Sequence, residues 1–195
     1  MNGTGGPKLR KIAANYMQKL SQLLSSVNME SLENVFNRIK TARDNGSFVY
    51  VAGNGGSAAT ATHWANDLGK ATKRSGHAPM RVMALGDNLS WLTALANDEG
   101  YERVFAGQLE NFASPKDVLV VISASGNSPN LVRAVELARE KKMITIGFLG
   151  FDGGALKKMV DECLWVPTEK GAYELAEDCH MILCNILTQC LTQEC

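Results

Sequence analysis

The sequence predicts an α/β fold with a five-stranded parallel sheet and an N-terminal helical pair. Short apolar runs alternate with segments of helical periodicity. The runs are apolar throughout, the pattern of strands covered on both faces. Two loops rich in Gly, Ser and Asn directly follow such runs, where parallel sheets place their ligands.

Leu9, Ile12, Ala13, Tyr16, Met17, Leu20, Leu23, Leu24 and Val27 recur at helical spacing. Leu32, Val35, Phe36, Ile39 and Ala42 form one face of a second helix, which ends at Asn45-Gly46. This pair carries more apolar surface than a lid needs, and fits either the core or a second subunit. Strands follow at 48–53 (FVYVAG), 80–85 (MRVMAL), 117–123 (DVLVVIS), 143–150 (MITIGFLG) and 163–167 (CLWVP). Helices fill the intervals from about residue 57 to 69, in pieces up to about 111, and from 128 to about 142. A last helix runs from about residue 172 to the C-terminus.

Composition excludes several classes. The 195 residues, 45% hydrophobic, form one domain and can bury about 70% of the extended-chain surface without disulfides. Lys plus Arg total 20 and Asp plus Glu total 20, which argues against a general nucleic-acid or anionic-membrane binder. No apolar run approaches the roughly 18 residues of a membrane span. The start, MNGTGGPKLRK, has no apolar leader core, so the expectation is a cytoplasmic protein. Cys163, Cys179, Cys184, Cys190 and Cys195 show no paired spacing and read as reduced, mostly buried thiols. Lys70, Lys73, Arg74 and His77 read as a solvated helix end.

Both loops suit a phosphate. Gly53-Asn54-Gly55-Gly56-Ser57 follows a strand and opens a helix. Its glycines allow close backbone approach, and the helix start offers free N–H groups and the positive dipole end. It lacks the GK[ST] of a nucleotide loop. In Ser123-Ala124-Ser125-Gly126-Asn127-Ser128-Pro129-Asn130, Ser128 is placed as N-cap with Pro129 at the first helical position. Ser123 and Ser125 are then spare hydroxyls at the same helix start.

Acid/base candidates lie on the flanking helices. His63 and Asp67 are spaced i, i+4, about two turns past the first loop. On the last helix Glu174 and Glu177 are spaced i, i+3, and Asn185 falls roughly on the Glu177 face. His63, Asp67 and Glu177 therefore form a candidate acid/base or metal cluster, to which His180, one turn from Glu177, could add. Asn97-Asp98 reads either as a helix end or as a substrate contact.

With these loops the chain resembles the sugar isomerase (SIS) domain family, most closely its phosphoheptose isomerase branch. The matching stretches are VAGNGGSAATATHWANDL (51–68), ALANDEGYERVF (94–105), VVISASGNSPNLVRAVELAREKKMITIGFLGFDGG (120–154) and AEDCHMILCNIL (176–187). The resemblance implies a flavodoxin-like three-layer fold over 1–195, with 1–46 used in oligomerisation and 47–195 as the core. It implies a homotetramer with active sites at subunit interfaces, acting on a sugar phosphate. The branch converts sedoheptulose 7-phosphate to a heptose 7-phosphate. Phosphate binding falls to Ser57, Ser123, Ser125 and Ser128, with Asn54, Gly55, Gly56, Asn97, Asp98 and Glu174 as further substrate contacts.

The resemblance also exposes departures. The branch carries Glu where this chain has Asp67, Gln at Glu177, His at Asn185 and Asp at Glu174, while His63 is kept. Asn cannot exchange a proton at neutral pH, so Asn185 removes one acid/base group. Some relatives bind zinc at these positions. Here His63, Asp67 and Glu177 remain as ligand candidates and Asn185 is a poor one, so the expectation is no cofactor or one divalent ion. Three readings stay open: a phosphoheptose isomerase with an altered site, an isomerase of another phosphosugar, and a non-catalytic phosphosugar-binding protein acting as a regulator or replication-initiator partner.

Overall fold

The structure is a computed structural model describing residues 5–73 and 77–193. Arg74 and Cys195 lie outside the described residues. Two helices, α1 (Gly5–Ser25) and α2 (Met29–Asp44), precede β1 (Phe48–Gly53) and α3 (Gly56–Lys70). Then come β2 (Arg81–Ala84), α4 (Leu89–Asp98), α5 (Ala106–Phe112), β3 (Val118–Ser123) and α6 (Pro129–Glu140). The chain ends with β4 (Ile144–Leu149), β5 (Glu162–Trp165) and α7 (Tyr173–Gln193). Short 3₁₀ turns occupy Tyr101–Arg103 and Leu156–Lys158. The strand expected at 163–167 is shifted by one to two residues, because Pro167 has no N–H to pair.

All five strands are parallel, in the order β2-β1-β3-β4-β5. Period-two alternation divides their side chains between two cores. Val49, Val51, Val118, Val120, Ile122, Ile146 and Phe148 meet α2, α3 and α7 on one face. Tyr50, Ala52, Leu119, Val121 and Leu149 meet the α4–α6 layer on the other. The sheet is thus the middle of three layers, as the sequence predicts. Chain order reverses between β1 and β3, so a crevice opens at their carboxyl ends. The first turns of α3 and α6 flank it.

The leading helices differ from each other. α2 buries Leu32, Val35, Ile39 and Ala42 in the core. α1 lies against α7, where Tyr16 donates a hydrogen bond to Asp178 Oδ2 at 2.7 Å. It leaves Leu9, Ile12 and Met17 67%, 57% and 62% exposed. Cys179 and Cys184 are buried, and Cys163 and Cys190 are partly so. Among the described residues no helix is long and apolar enough to cross a membrane.

Candidate active site

The two predicted loops meet at the β1/β3 crevice and line a half-open cavity of about 110 Å³. Asn54, Ser57, Ser123, Ser125, Ser128, Tyr173 and Glu177 line it. At about 30 Å³ per liquid water, it holds a few waters or one tetrahedral anion. None of its lining residues is Lys or Arg. Attraction for an anion therefore comes from helix starts and neutral donors, at about 0.3–1 kcal/mol per helix end and about 1.5–3 kcal/mol per charge-assisted hydrogen bond.

The helix starts are left open for this. Gly55, at φ +55°, is the N-cap of α3 and has no side chain to cap it. Ser128 occupies the N-cap position of α6 as predicted, but its hydroxyl makes no capping bond. Ser57 and Ser123 are only 5% and 4% exposed. The hydroxyls expected to be spare are partly engaged. Ser123 Oγ accepts from the Gly126 N–H at 3.0 Å, and Ser125 Oγ accepts from the Asn127 N–H at 3.3 Å. Each hydroxyl can still donate outward, because an accepting oxygen keeps its own hydrogen.

Side chains lock the loops together. Asn54 and Asn130 exchange amide hydrogen bonds of 2.9 Å in both directions, and Tyr101 donates to Asn54 Oδ1 at 3.0 Å. A second lock joins the serine loop to the loop after β4. Gly126 has φ +64°, and a Cβ there would fall on the Gly153 carbonyl. Tyr101 and Tyr173 have no role in the sequence reading, and Asn130 enters it only as the last residue of the serine loop. Tyr173 precedes Glu177 by one helical turn, the spacing that could have found it. A neighbouring cavity of about 350 Å³ shares Ser125 and Tyr173 and adds Asn127, Asp152 and Lys170.

Glu177 crosses from α7 to the first turn of α3. A Cβ on Gly56 would stand too close to the Glu177 carboxyl group, so the carboxyl rests where only a glycine leaves it room without moving. The His63–Asp67 pair sits further along α3, with Nε2 3.1 Å from Oδ2 and side chains 49% and 25% exposed. Seven residues separate Gly56 from His63, about 10 Å of helix axis. The expected cluster of His63, Asp67 and Glu177 is therefore not assembled in one chain. Among the described residues no three His, Cys, Asp or Glu side chains stand close enough to share a metal ion. One chain offers a zinc ion two ligands already paired to each other, which does not fit a zinc site.

Three further sets of candidates lie apart from this cavity. Glu174 does not line the phosphate cavity; it is exposed and acts electrostatically on Tyr16 of α1, beside Asp178. Asn97 and Asp98 bond to each other at 2.7 Å on the surface and do not line the cavity. His180 cannot assist Glu177. It is fully buried, its ring lies edge-on to Phe148, and burial pushes its pKa down to about 4. The nearby Leu149 backbone opposes that shift only in part, and neither ring nitrogen makes a hydrogen bond of good geometry. Asn185 is exposed on α7.

This fold and these loops define a sugar isomerase domain: the family model described as "SIS domain" matches residues 15–150, and the chain belongs to that family, in its phosphoheptose isomerase branch. The chain is 36% identical over 178 residues to the phosphoheptose isomerase of Helicobacter pylori (strain P12), covering 90% of each. It is similar to the structure of the Neisseria gonorrhoeae phosphoheptose isomerase at 30% identity and TM-score 0.85, covering 95% of this chain and 98% of that one. The Francisella tularensis phosphoheptose isomerase structure matches with TM-score 0.87 and 26% identity, over 97% and 99% of the two chains.

Proposed function

We propose that the protein is a phosphosugar isomerase that interconverts sedoheptulose 7-phosphate and an aldose heptose 7-phosphate through an enediol. The observation that carries this is the distance between the two parts of the site. The phosphate cavity lies at Ser57, and His63–Asp67 lies six residues on, about 9 Å along α3. In an extended 7-phosphate, about seven bonds separate phosphorus from the keto carbon, roughly 8 Å at backbone-like bond projections. A sugar phosphate anchored between the loops thus brings its reacting carbons to the His63–Asp67 pair.

In this reading Ser57, Ser123, Ser125 and Ser128 hold the phosphate. Asp67 takes the proton from one carbon and returns it to its neighbour, a transfer worth about 10²–10⁴-fold. His63, 3.1 Å from Asp67, orients the carboxylate and offers a second exchangeable proton. Glu177, at the phosphate end, is too far from the reacting carbons to act as the base. His63 is half exposed and Asn185 is exposed, so this end of the site is open to solvent. A homo-oligomer, a tetramer, closes it, and the exposed Leu9, Ile12 and Met17 on α1 supply an apolar face for assembly. Sedimentation velocity reads that assembly.

Proton NMR with sedoheptulose 7-phosphate in D₂O tests the chemistry. Deuterium entering beside the carbonyl, followed by new aldose signals, is expected. Substrate line broadening without exchange would replace the isomerase with a phosphosugar-binding protein, the reading that Asn185 favours.

A further inference from the structure

We infer that Glu177 determines which anions the phosphate cavity accepts, by acting as a resident negative charge on the α3 side of the cradle. The inference rests on reading this cavity as a phosphate site. Its carboxyl group lies directly over Gly56, the first residue of α3, and lines the cavity together with the serines. Gly55 brings no capping side chain, so the positive end of α3 faces this carboxylate. An incoming phosphate thus meets a helix end already partly neutralised and a like charge in the cavity wall. No lysine or arginine lines the cavity to offset that charge.

Two consequences follow. The phosphate is held mainly from the α6 side, by Ser125, Ser128 and the open start of that helix. Affinity also depends on ligand charge, because repulsion by one carboxylate grows with each negative charge on the ligand. Glu177 is on this view a specificity-determining residue that keeps the cavity from retaining small free anions. A sugar phosphate overcomes the repulsion through contacts along α3 that inorganic phosphate cannot make.

Calorimetric titration of inorganic phosphate at pH 8 into the full-length protein and into Glu177→Gln and Glu177→Ala tests this. Gln keeps the shape and removes the charge, so both variants should bind phosphate about tenfold tighter than wild type, or ~1.4 kcal/mol. Equal phosphate affinity in wild type and Glu177→Gln overturns the inference while leaving the phosphate site standing. A gain confined to Glu177→Ala also overturns it, since bulk rather than charge would then be the obstacle. Phosphate binding by none of the three proteins removes the phosphate reading itself, and this inference with it.

Discussion

At the β1/β3 crevice Ser57 and Ser123 are almost wholly buried, both loops are cross-bonded, and a single chain lines a half-open cavity of one-anion size. Six residues further along α3, His63 leaves half its side chain to solvent and has one partner, Asp67. On the proposed reading, phosphate recognition needs little beyond the fold of one chain, because it uses backbone N–H groups and short hydroxyls, which the strand–loop–helix connections place automatically. Proton transfer uses long side chains on helix faces, and those need neighbours to fix them. The anchor is therefore rigid in one chain, and the reactive end depends on what covers it.

The comparison can be broken first at the anchor. Gly126→Ala puts a methyl group on the Gly153 carbonyl at a positive φ. It should lose about 4 kcal/mol in urea unfolding, with loss of phosphate binding. An unchanged midpoint would mean the two loops are not interlocked. At the reactive end, Asp67→Asn should reduce kcat/KM by about 10³-fold while the Kd for sedoheptulose 7-phosphate stays within about threefold. A parallel loss of binding would merge the two regions into one.

His180 gives a test of the scaffold beneath both. Its pKa falls from 6.5 in the unfolded chain to about 4 in the fold. Between those values the unfolded chain binds more protons, so stability drops as pH falls from 6.5 to 4, by about 3 kcal/mol in all. His180→Leu should remove that part of the slope when urea midpoints at pH 7 and pH 5 are compared with wild type. The smallest effect belongs to Ser125→Ala, which should weaken phosphate binding about tenfold by removing one hydrogen bond to a charged group, ~1.4 kcal/mol. No change in affinity would move the phosphate toward Ser57.

The layers and the anchor were legible because both depend on contiguous sequence. FVYVAG and DVLVVIS announce buried strands, and GNGGS and SASGNSPN announce helix starts at their ends. What could not be read depends on how α3 and α7 lie against each other. The sequence offers Glu177 as a partner for the His63–Asp67 pair on another helix, whereas the packing of α7 carries Glu177 to Gly56. Glu174 and Glu177 shared a face by spacing, yet α1 draws Glu174 toward Tyr16. His180 looked available one turn from Glu177, and burial against Phe148 removes it. The apolar stripes of α1 and α2 were alike in sequence. Only tertiary packing separates the helix that fills the core from the one that leaves Leu9, Ile12 and Met17 outside.

The paired amides of Asn54 and Asn130 also govern how the protein ages. The chain contains three Asn-Gly bonds, Asn2-Gly3, Asn45-Gly46 and Asn54-Gly55, of which the last two lie in the described residues. At such bonds the unhindered glycine nitrogen attacks the asparagine side-chain carbonyl and expels ammonia, and water then opens the resulting cyclic imide to a carboxylate. Asn45 lies exposed at the end of α2. At Asn54 the carbonyl oxygen is held by Tyr101 and Asn130, and the amide nitrogen is held by Asn130. Of these two, the Asn45 turn will therefore deamidate on storage well before the Asn54 loop, which will outlast the growing charge heterogeneity.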